Sequence, residues 1–244
     1  MESEMEALKK IGIIGGSGPE ATILLQKMII DLARERYGAK RLEYNPHLLI
    51  ASVPLLQDVK NDEELETVVS SLKSGAESLK NAGAEILCMA CNTHHLSLEK
   101  VKEHVGVPFI SMLDLVGKEI SRTGAKKVAV IGTGYTLRDA LYEQPVKENG
   151  GVMTDIGEEL TEKSHKVIGE ALSGITKDMV GEYVSLVEKI MKEHGGEVDT
   201  IILGCTEYSV LENMRDKSLS FPDVKIIDPL KLLAEAVVES SYKN

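Results

Sequence analysis

The chain has 244 residues, enough for one large or two small domains with a substantial core. Hydrophobic residues make up 43% and charged residues 27%, with no Trp and two Phe, so the core is aliphatic, and no apolar run reaches the eighteen or so residues of a membrane span. A formal net charge of −11 argues against nucleic acid and anionic membrane as partners, and an anionic substrate would need local donors to overcome that field.

Met1–Lys10 mixes acidic, apolar and basic residues without the apolar stretch of a secretory signal, so the expected location is the cytoplasm. Lys10–Gly15 reads as a short apolar strand. It runs into Gly15-Gly16-Ser17-Gly18-Pro19 and a helix from Glu20 to about Tyr37, with Pro19 suited to the first turn. His47–Val53 reads as a buried strand ended by Pro54. Asp62–Asn81 reads as a helix stopped by Gly83. Glu85–Ala90 is a strand, followed by Cys91-Asn92-Thr93 and a helix to about His104, then a strand over Val107–Met112. Strands alternating with helices predict a parallel sheet covered on both faces.

The order then returns. Lys127–Ile131 is a strand leading into Gly132-Thr133-Gly134-Tyr135-Thr136, with a helical segment around Leu137–Asn149 and a mostly helical stretch from Leu172 to Glu193. Val198–Leu203 is a strand leading into Gly204-Cys205-Thr206-Glu207, and Val224–Ile227 is a strand before a C-terminal helix. Ile11 and Val128 are 117 residues apart, as are Val107 and Val224, while Cys91 and Cys205 are 114 apart. Three strand–loop units recurring in one order predict a tandem duplication of a half-sized α/β unit.

Gly16-Ser17-Gly18-Pro19-Glu20-Ala21 fits the dinucleotide fingerprint, which would suggest a nucleotide-binding oxidoreductase. That fingerprint also needs an acid at the end of the next strand, where this chain has Ile50-Ala51-Ser52-Val53-Pro54. The loop, and Gly132–Thr136 in the second half, read instead as cradles for a small anion, or as tight turns without a ligand. Cys88-Met89-Ala90-Cys91 is a single Cys-x-x-Cys with no second pair, a poor zinc site, and Cys88 lies inside a strand as a core residue. Three cysteines in a cytoplasmic chain do not make a disulfide framework.

Cys91 and Cys205 each fall just past the carboxyl end of an apolar strand, the edge where open α/β sheets bind ligands. A thiol at a helix start gains thiolate character from the free N–H groups. Asn92, Thr93, Thr206 and Glu207 add polar groups beside them. Either cysteine alone would read as a buried apolar residue; at duplicated positions the pair reads as an acid/base couple. His95, one turn from Cys91, is the histidine placed to join them.

At this point the residues resemble a known family. Ala90-Cys91-Asn92-Thr93-His94-His95 and Gly204-Cys205-Thr206-Glu207 resemble the paired signatures of the aspartate/glutamate racemases. Ile11–Pro19 is similar to that family's opening, with Ser17 in place of Met, and Ile226-Ile227-Asp228-Pro229 also matches. The resemblance, closest to the aspartate branch, implies an α/β fold of two similar domains related by pseudo-two-fold symmetry, each a mainly parallel sheet flanked by helices. Residues 1–104 with 214–244 would form one domain and 105–213 the other, with the fourth strand of each half crossing over and one site in the cleft. It implies racemisation of an acidic amino acid without pyridoxal phosphate, metal or nucleotide, in a homodimer. By position, Cys91 and Cys205 become the catalytic acid/base pair, Asn92, Thr93 and Thr206 bind the α-carboxylate and amino groups, and Lys163 binds the side-chain carboxylate. Ser17, His94, Thr133, Thr136 and Glu207 complete the expected substrate-binding set. The stretch Pro54-Leu55-Leu56-Gln57-Asp58-Val59 places Val59 where this family often has arginine, with Lys60 adjacent, which leaves open a dicarboxylate isomerase, a hydantoin racemase or a non-catalytic carboxylate binder.

Overall fold

The structure, a computed structural model, describes residues 8–56, 59, 61–138, 140–216 and 218–242; Lys60 lies outside the described residues. The chain forms two compact units, Met1–Ser111 with Lys231–Asn244, and Met112–Leu230. Each holds one parallel four-stranded sheet.

In the first unit β1 (Lys10–Gly15) leads into α1 (Pro19–Tyr37), β2 (His47–Ser52), α2 (Asp62–Asn81), β3 (Ile86–Met89), a 3₁₀ turn over Thr93–Ser97, α3 (Leu98–Val105) and β4 (Phe109–Ile110). Pro19 opens α1 after Gly18, and the Asn61 side chain caps α2 by accepting from Glu64 N at 2.9 Å. The sheet order is β2-β1-β3-β4. Ile14, Leu87, Met89 and Cys91 share an apolar cluster with Val68, Leu72 and Ala76 of α2 and Val101 of α3.

The second unit repeats this plan. It contains α4 (Met112–Thr123), β5 (Lys127–Ile131), α5 (Gly134–Arg138), α6 (Glu143–Glu148), β6 (Val152–Met153), α7 (Glu158–Ala171), α8 (Lys177–Glu193), β7 (Thr200–Leu203), α9 (Thr206–Met214) and β8 (Lys225–Ile227). Its order, β6-β5-β7-β8, is that of the first sheet shifted by one half. The register agrees as well. Ile11 faces Ile86 and Val128 faces Thr200; Leu87 faces Phe109 and Ile201 faces Ile226. Partners on equivalent strands keep the 117 and 114 spacings found in the sequence, as a duplicated unit requires.

The structure corrects two expectations. The fourth strands do not cross over: β4 pairs with β3 and β8 with β7, each in its own sheet. The helices after them change unit instead. Gly117 of α4 packs against Asn149, where an added Cβ would lie 2.6 Å from Nδ2. The C-terminal α10 (Pro229–Tyr242) returns to the first unit, where Tyr242 stacks on Tyr37 and Glu235 pairs with Arg36 at 3.1 Å. The units therefore part after Ser111 and Leu230, not at 104 and 213. Secondly, the helix expected over Leu137–Asn149 is two short helices, α5 and α6, and the stretch from Leu172 begins with a turn at Gly174, φ 135°, before α8. Helices α4 and α7 and strand β6 go beyond the sequence expectation. No helix among the described residues is long and apolar enough to cross a membrane.

Candidate active site

The strand β3 sets Cys91. Ala90 N donates to Ile14 O at 3.0 Å and prolongs the ladder one residue past Met89, so Cys91 emerges at the carboxyl edge. The chain then winds into the 3₁₀ turn, with His95 N on Asn92 O at 3.0 Å. His95 Nδ1 lies 2.7 Å from Cys91 O; a carbonyl only accepts, so this ring carries its proton on Nδ1. The Ser17 hydroxyl, from the glycine loop after β1, donates to Cys91 Sγ at 3.5 Å. Gly16, at φ 95°, makes that approach possible, and its N–H donates to Thr22 Oγ1 at 3.1 Å. Cys91 is 8% exposed, whereas Cys88, three residues earlier, is sealed in the core and its thiol is pushed up to about 12 by burial.

The histidines beside Cys91 are neutral at pH 7. Burial lowers His95 to about 4, against the raising influence of its Cys91 and Asn92 backbone partners, and lowers His94 to about 4 with a contribution from His95. The unfolded chain takes up a proton at His95 below pH 6.5 that the folded state resists. Stability is therefore complete above pH 6.5 and falls as the pH drops towards 4, by about 3 kcal/mol for a ring so placed. Urea midpoints measured from pH 7.5 to 4.5 will show this slope together with a like share from His94, and His95→Gln will cut it to about half. An unchanged slope in that variant would show that His95 is not the group responsible.

Cys205 stands at the N-cap of α9 with extended backbone, φ −136° and ψ 139°. Gly204 N donates to Ile131 O at 2.7 Å, which brings the loop against β5, and a Cβ on Gly204 would sit 2.7 Å from Val130 Cγ1. The Cys205 thiol donates to Glu207 Oε2 at 2.8 Å, and the Thr206 hydroxyl donates to the same oxygen at 3.4 Å. Cys205 is 7% exposed; Thr206 and Glu207 are buried with it.

A network behind this loop escaped the sequence reading. The Thr136 hydroxyl lies 3.0 Å from Thr133 Oγ1 and donates to Gly204 O at 3.2 Å. Gly132 N donates to Ser164 Oγ at 3.0 Å, and that hydroxyl donates to Gly132 O at 3.2 Å. Tyr208 OH donates to Ser164 O at 2.9 Å, and burial above all holds its phenol protonated. Ser164 lies on α7 among Leu160, Val167 and Ile168, so a serine on an otherwise apolar helical face was the available signal.

A family model for Asp/Glu/hydantoin racemases matches residues 14–237. The chain belongs to that family. The broad specificity amino-acid racemase RacX of Bacillus subtilis is 26% identical over 234 residues, which cover 94% of this chain and 97% of that protein. The glutamate racemase of Aquifex pyrophilus is 30% identical over 171 residues, covering 69% of this chain and 63% of that one. Among solved structures, an aspartate racemase homologue from Pyrococcus horikoshii superposes with a TM-score of 0.79 at 30% identity, covering 97% and 100% of the two chains. The aspartate racemase of Picrophilus torridus, at 23% identity and a TM-score of 0.74, shares the fold over 97% of this chain and 95% of its own.

Within this racemase-family chain the expected site residues fall into two groups. Ser17, Asn92, Thr93 and His94 gather around Cys91 in the first unit. Thr206, Glu207 and, through Gly204, Thr133 and Thr136 gather around Cys205 in the second. Lys163 does not join them. Its Nζ donates to Ser185 Oγ at 3.2 Å, on the flank of α7 that faces α8. The opposite flank carries His165, whose Nδ1 would lie 3.1 Å from a Cβ on Gly134. Side chains two residues apart on a helix point about 200° apart, so Lys163 and His165 lie on opposite flanks of α7. A cleft of about 290 Å³ beside this loop is lined by Leu137, Met153, Thr161, Glu143 and Asp155, and two carboxylates make it a poor seat for a substrate carboxylate. Among the described residues no cluster of three or more His, Cys, Asp or Glu is placed to hold a metal.

Proposed function

We propose that the protein is a cofactor-independent amino-acid racemase for aspartate or a related acidic amino acid, with Cys91 and Cys205 as the two acid/base groups on one substrate. The observation that carries this reading is the duplication itself: each sheet ends its third strand in a thiol with a polar partner within hydrogen-bond distance. The match to an amino-acid racemase over nearly the whole chain supports it.

Racemisation removes a proton from one face of the α-carbon and returns one to the other. A single base tends to return the proton to the face it came from; two opposed groups invert it. A thiol suits both roles, because its reference pKa of about 8.5 lies close to working pH. The electron pair left on the α-carbon spreads into the α-carboxylate, where N–H and hydroxyl donors stabilise it. Asn92, Thr93 and Thr206 are the donors assigned to that carboxylate.

Val59 favours a second reading, in which the substrate lacks a second carboxylate, as in a hydantoin or a neutral amino acid. Its side chain packs against the apolar cluster of the first unit and offers no charge. One panel separates these readings. Each enantiomer of aspartate, glutamate, alanine and a 5-substituted hydantoin is incubated with the enzyme in deuterated water, and chirality and α-deuteration are followed together. The expected result is inversion with one deuterium gained per turnover on an acidic amino acid. Absence of exchange on every compound would overturn the racemase reading, and exchange on the hydantoin or alanine alone would favour the second.

A further inference from the structure

The two thiols are held differently, and the difference lies inside each unit. Cys91 Sγ accepts from the Ser17 hydroxyl at 3.5 Å, while Cys205 donates to the Glu207 carboxylate at 2.8 Å. The duplication makes the asymmetry visible in the sequence. At the 117 spacing Gly134 stands where Ser17 does, and at the 114 spacing Thr93 stands where Glu207 does. Each half has thus kept its thiol and exchanged the thiol's partner.

The chemistry of the partners points in opposite directions. A hydroxyl that donates to sulfur stabilises the thiolate. A carboxylate that accepts from sulfur stabilises the thiol, because ionising it would set two negative charges side by side in a buried loop. Reference pKa values of about 4.3 for a glutamate and about 8.5 for a cysteine leave the proton shared by Cys205 and Glu207 on sulfur. Among the described residues, His94 and His95, which follow Cys91, are neutral at pH 7, and Tyr208, close enough to feel the charge of Cys205, is held protonated, so these groups do not reverse this.

We infer that Ser17 and Glu207 are positioning residues that set the resting protonation of the pair, with Cys91 the thiolate and Cys205 the thiol. The inference rests on the two-thiol racemase reading, and it reassigns both residues from substrate binding to control of the thiols. In the favoured direction the Cys91 thiolate takes the α-proton, and the C–H electron pair stays on the α-carbon. Cys205 gives its proton to the opposite face and keeps the S–H electron pair, so it becomes a thiolate beside Glu207. The proton count of the enzyme is unchanged, with the proton now on Cys91. That second form is the less stable one, and it is the form that must bind the other enantiomer. A racemase has an equilibrium constant of one, so kcat/KM is equal for both enantiomers. The bias therefore appears as kcat and KM differing between enantiomers in the same proportion.

The test reads the thiols without turnover. The full-length protein is alkylated with iodoacetamide from pH 5 to 9.5, quenched at intervals, and each cysteine is quantified by peptide mass spectrometry, with Cys88 as the sealed control. At pH 7 Cys91 is expected to react about tenfold faster than Cys205, and with the lower pH midpoint. Glu207→Gln lowers the Cys205 midpoint and raises its rate about tenfold while leaving Cys91 unchanged; Glu207→Asp keeps Cys205 slow. Ser17→Ala raises the Cys91 midpoint, and Ser17→Thr restores it. Because the midpoint does not depend on access, it separates charge control from simple opening of the loop. The inference is overturned if Cys205 has the lower midpoint, if Glu207→Gln leaves that midpoint in place, or if Cys91 resists alkylation as Cys88 does. Failure of the racemase reading is a different result: no deuterium incorporation, with the labelling pattern intact.

Discussion

Replacing Cys91 or Cys205 by serine will each lower kcat for racemisation by about 10³-fold or more, within the range that a positioned acid or base contributes. Serine keeps the size and the hydrogen-bonding atom of cysteine but does not ionise near neutral pH, so each variant loses one proton carrier and little else. In the proposed two-thiol mechanism the pair acts as a unit, so the double variant is expected to be scarcely worse than either single one. The single variants also leave one thiol in place. In Cys205→Ser the Cys91 thiolate can still remove a proton from one enantiomer, with no acid on the opposite face to complete inversion. Exchange of the α-proton with solvent, on one enantiomer only and with retained chirality, is the expected remnant. Deuterium incorporation set against chiral chromatography distinguishes the two outcomes. Near-normal racemisation in either variant would end the two-thiol mechanism.

What the sequence revealed and what it concealed divide along physical lines. Strands such as Lys127–Ile131 are legible because a short apolar run leading into a glycine loop has few other ways to be buried. The thiol loops are legible because they recur. Strand β6 is not, since two residues, one of them the exposed Val152, carry no periodicity; its place is set by pairing with Lys127 and Val128. The exchange of α4 and α10 between units is hidden for a related reason. An amphipathic helix advertises that it has a face to bury and says nothing about which sheet will cover it. Lys163 and Ser164 show the finer limit. The same helix turn holds both, but only knowledge of what packs on each flank tells that Ser164 holds the Gly132 loop and that Lys163 reaches Ser185. His95 lies between these cases: its nearness to Cys91 was readable, while its function there, holding the Cys91 carbonyl, required the 3₁₀ turn that brings its ring back.

Gly16→Ala is expected to be the most damaging single-methyl change in the first unit. Gly16 has φ 95°, and an added Cβ would lie 2.6 Å from both the N and the O of Val53. Neither backbone atom can withdraw cheaply, because Val53 N is bound to Gly15 O at 2.9 Å and so ties the end of β2 to β1. The backbone conformation costs about 1–3 kcal/mol for a non-glycine residue, and the overpacking a further 1–3 kcal/mol. A total near 4 kcal/mol corresponds to a fall of about 15 °C in the melting transition of a unit this size. Gly106 supplies the control, since it has a comparable left-handed φ of 62° and open space where its Cβ would go. Gly106→Ala should therefore cost only the backbone share, about 1–2 kcal/mol. Calorimetry on both variants isolates the close approach to Val53, and equal losses would refute it. The consequence reaches the thiol as well, because Ser17 follows Gly16 and its hydroxyl meets Cys91 only while the loop keeps this path. A folded Gly16→Ala protein, assayed well below its melting transition, should alkylate at Cys91 with the raised midpoint of Ser17→Ala. A normal Cys91 midpoint in that variant would show that the glycine serves the sheet alone and that the serine finds the sulfur without it.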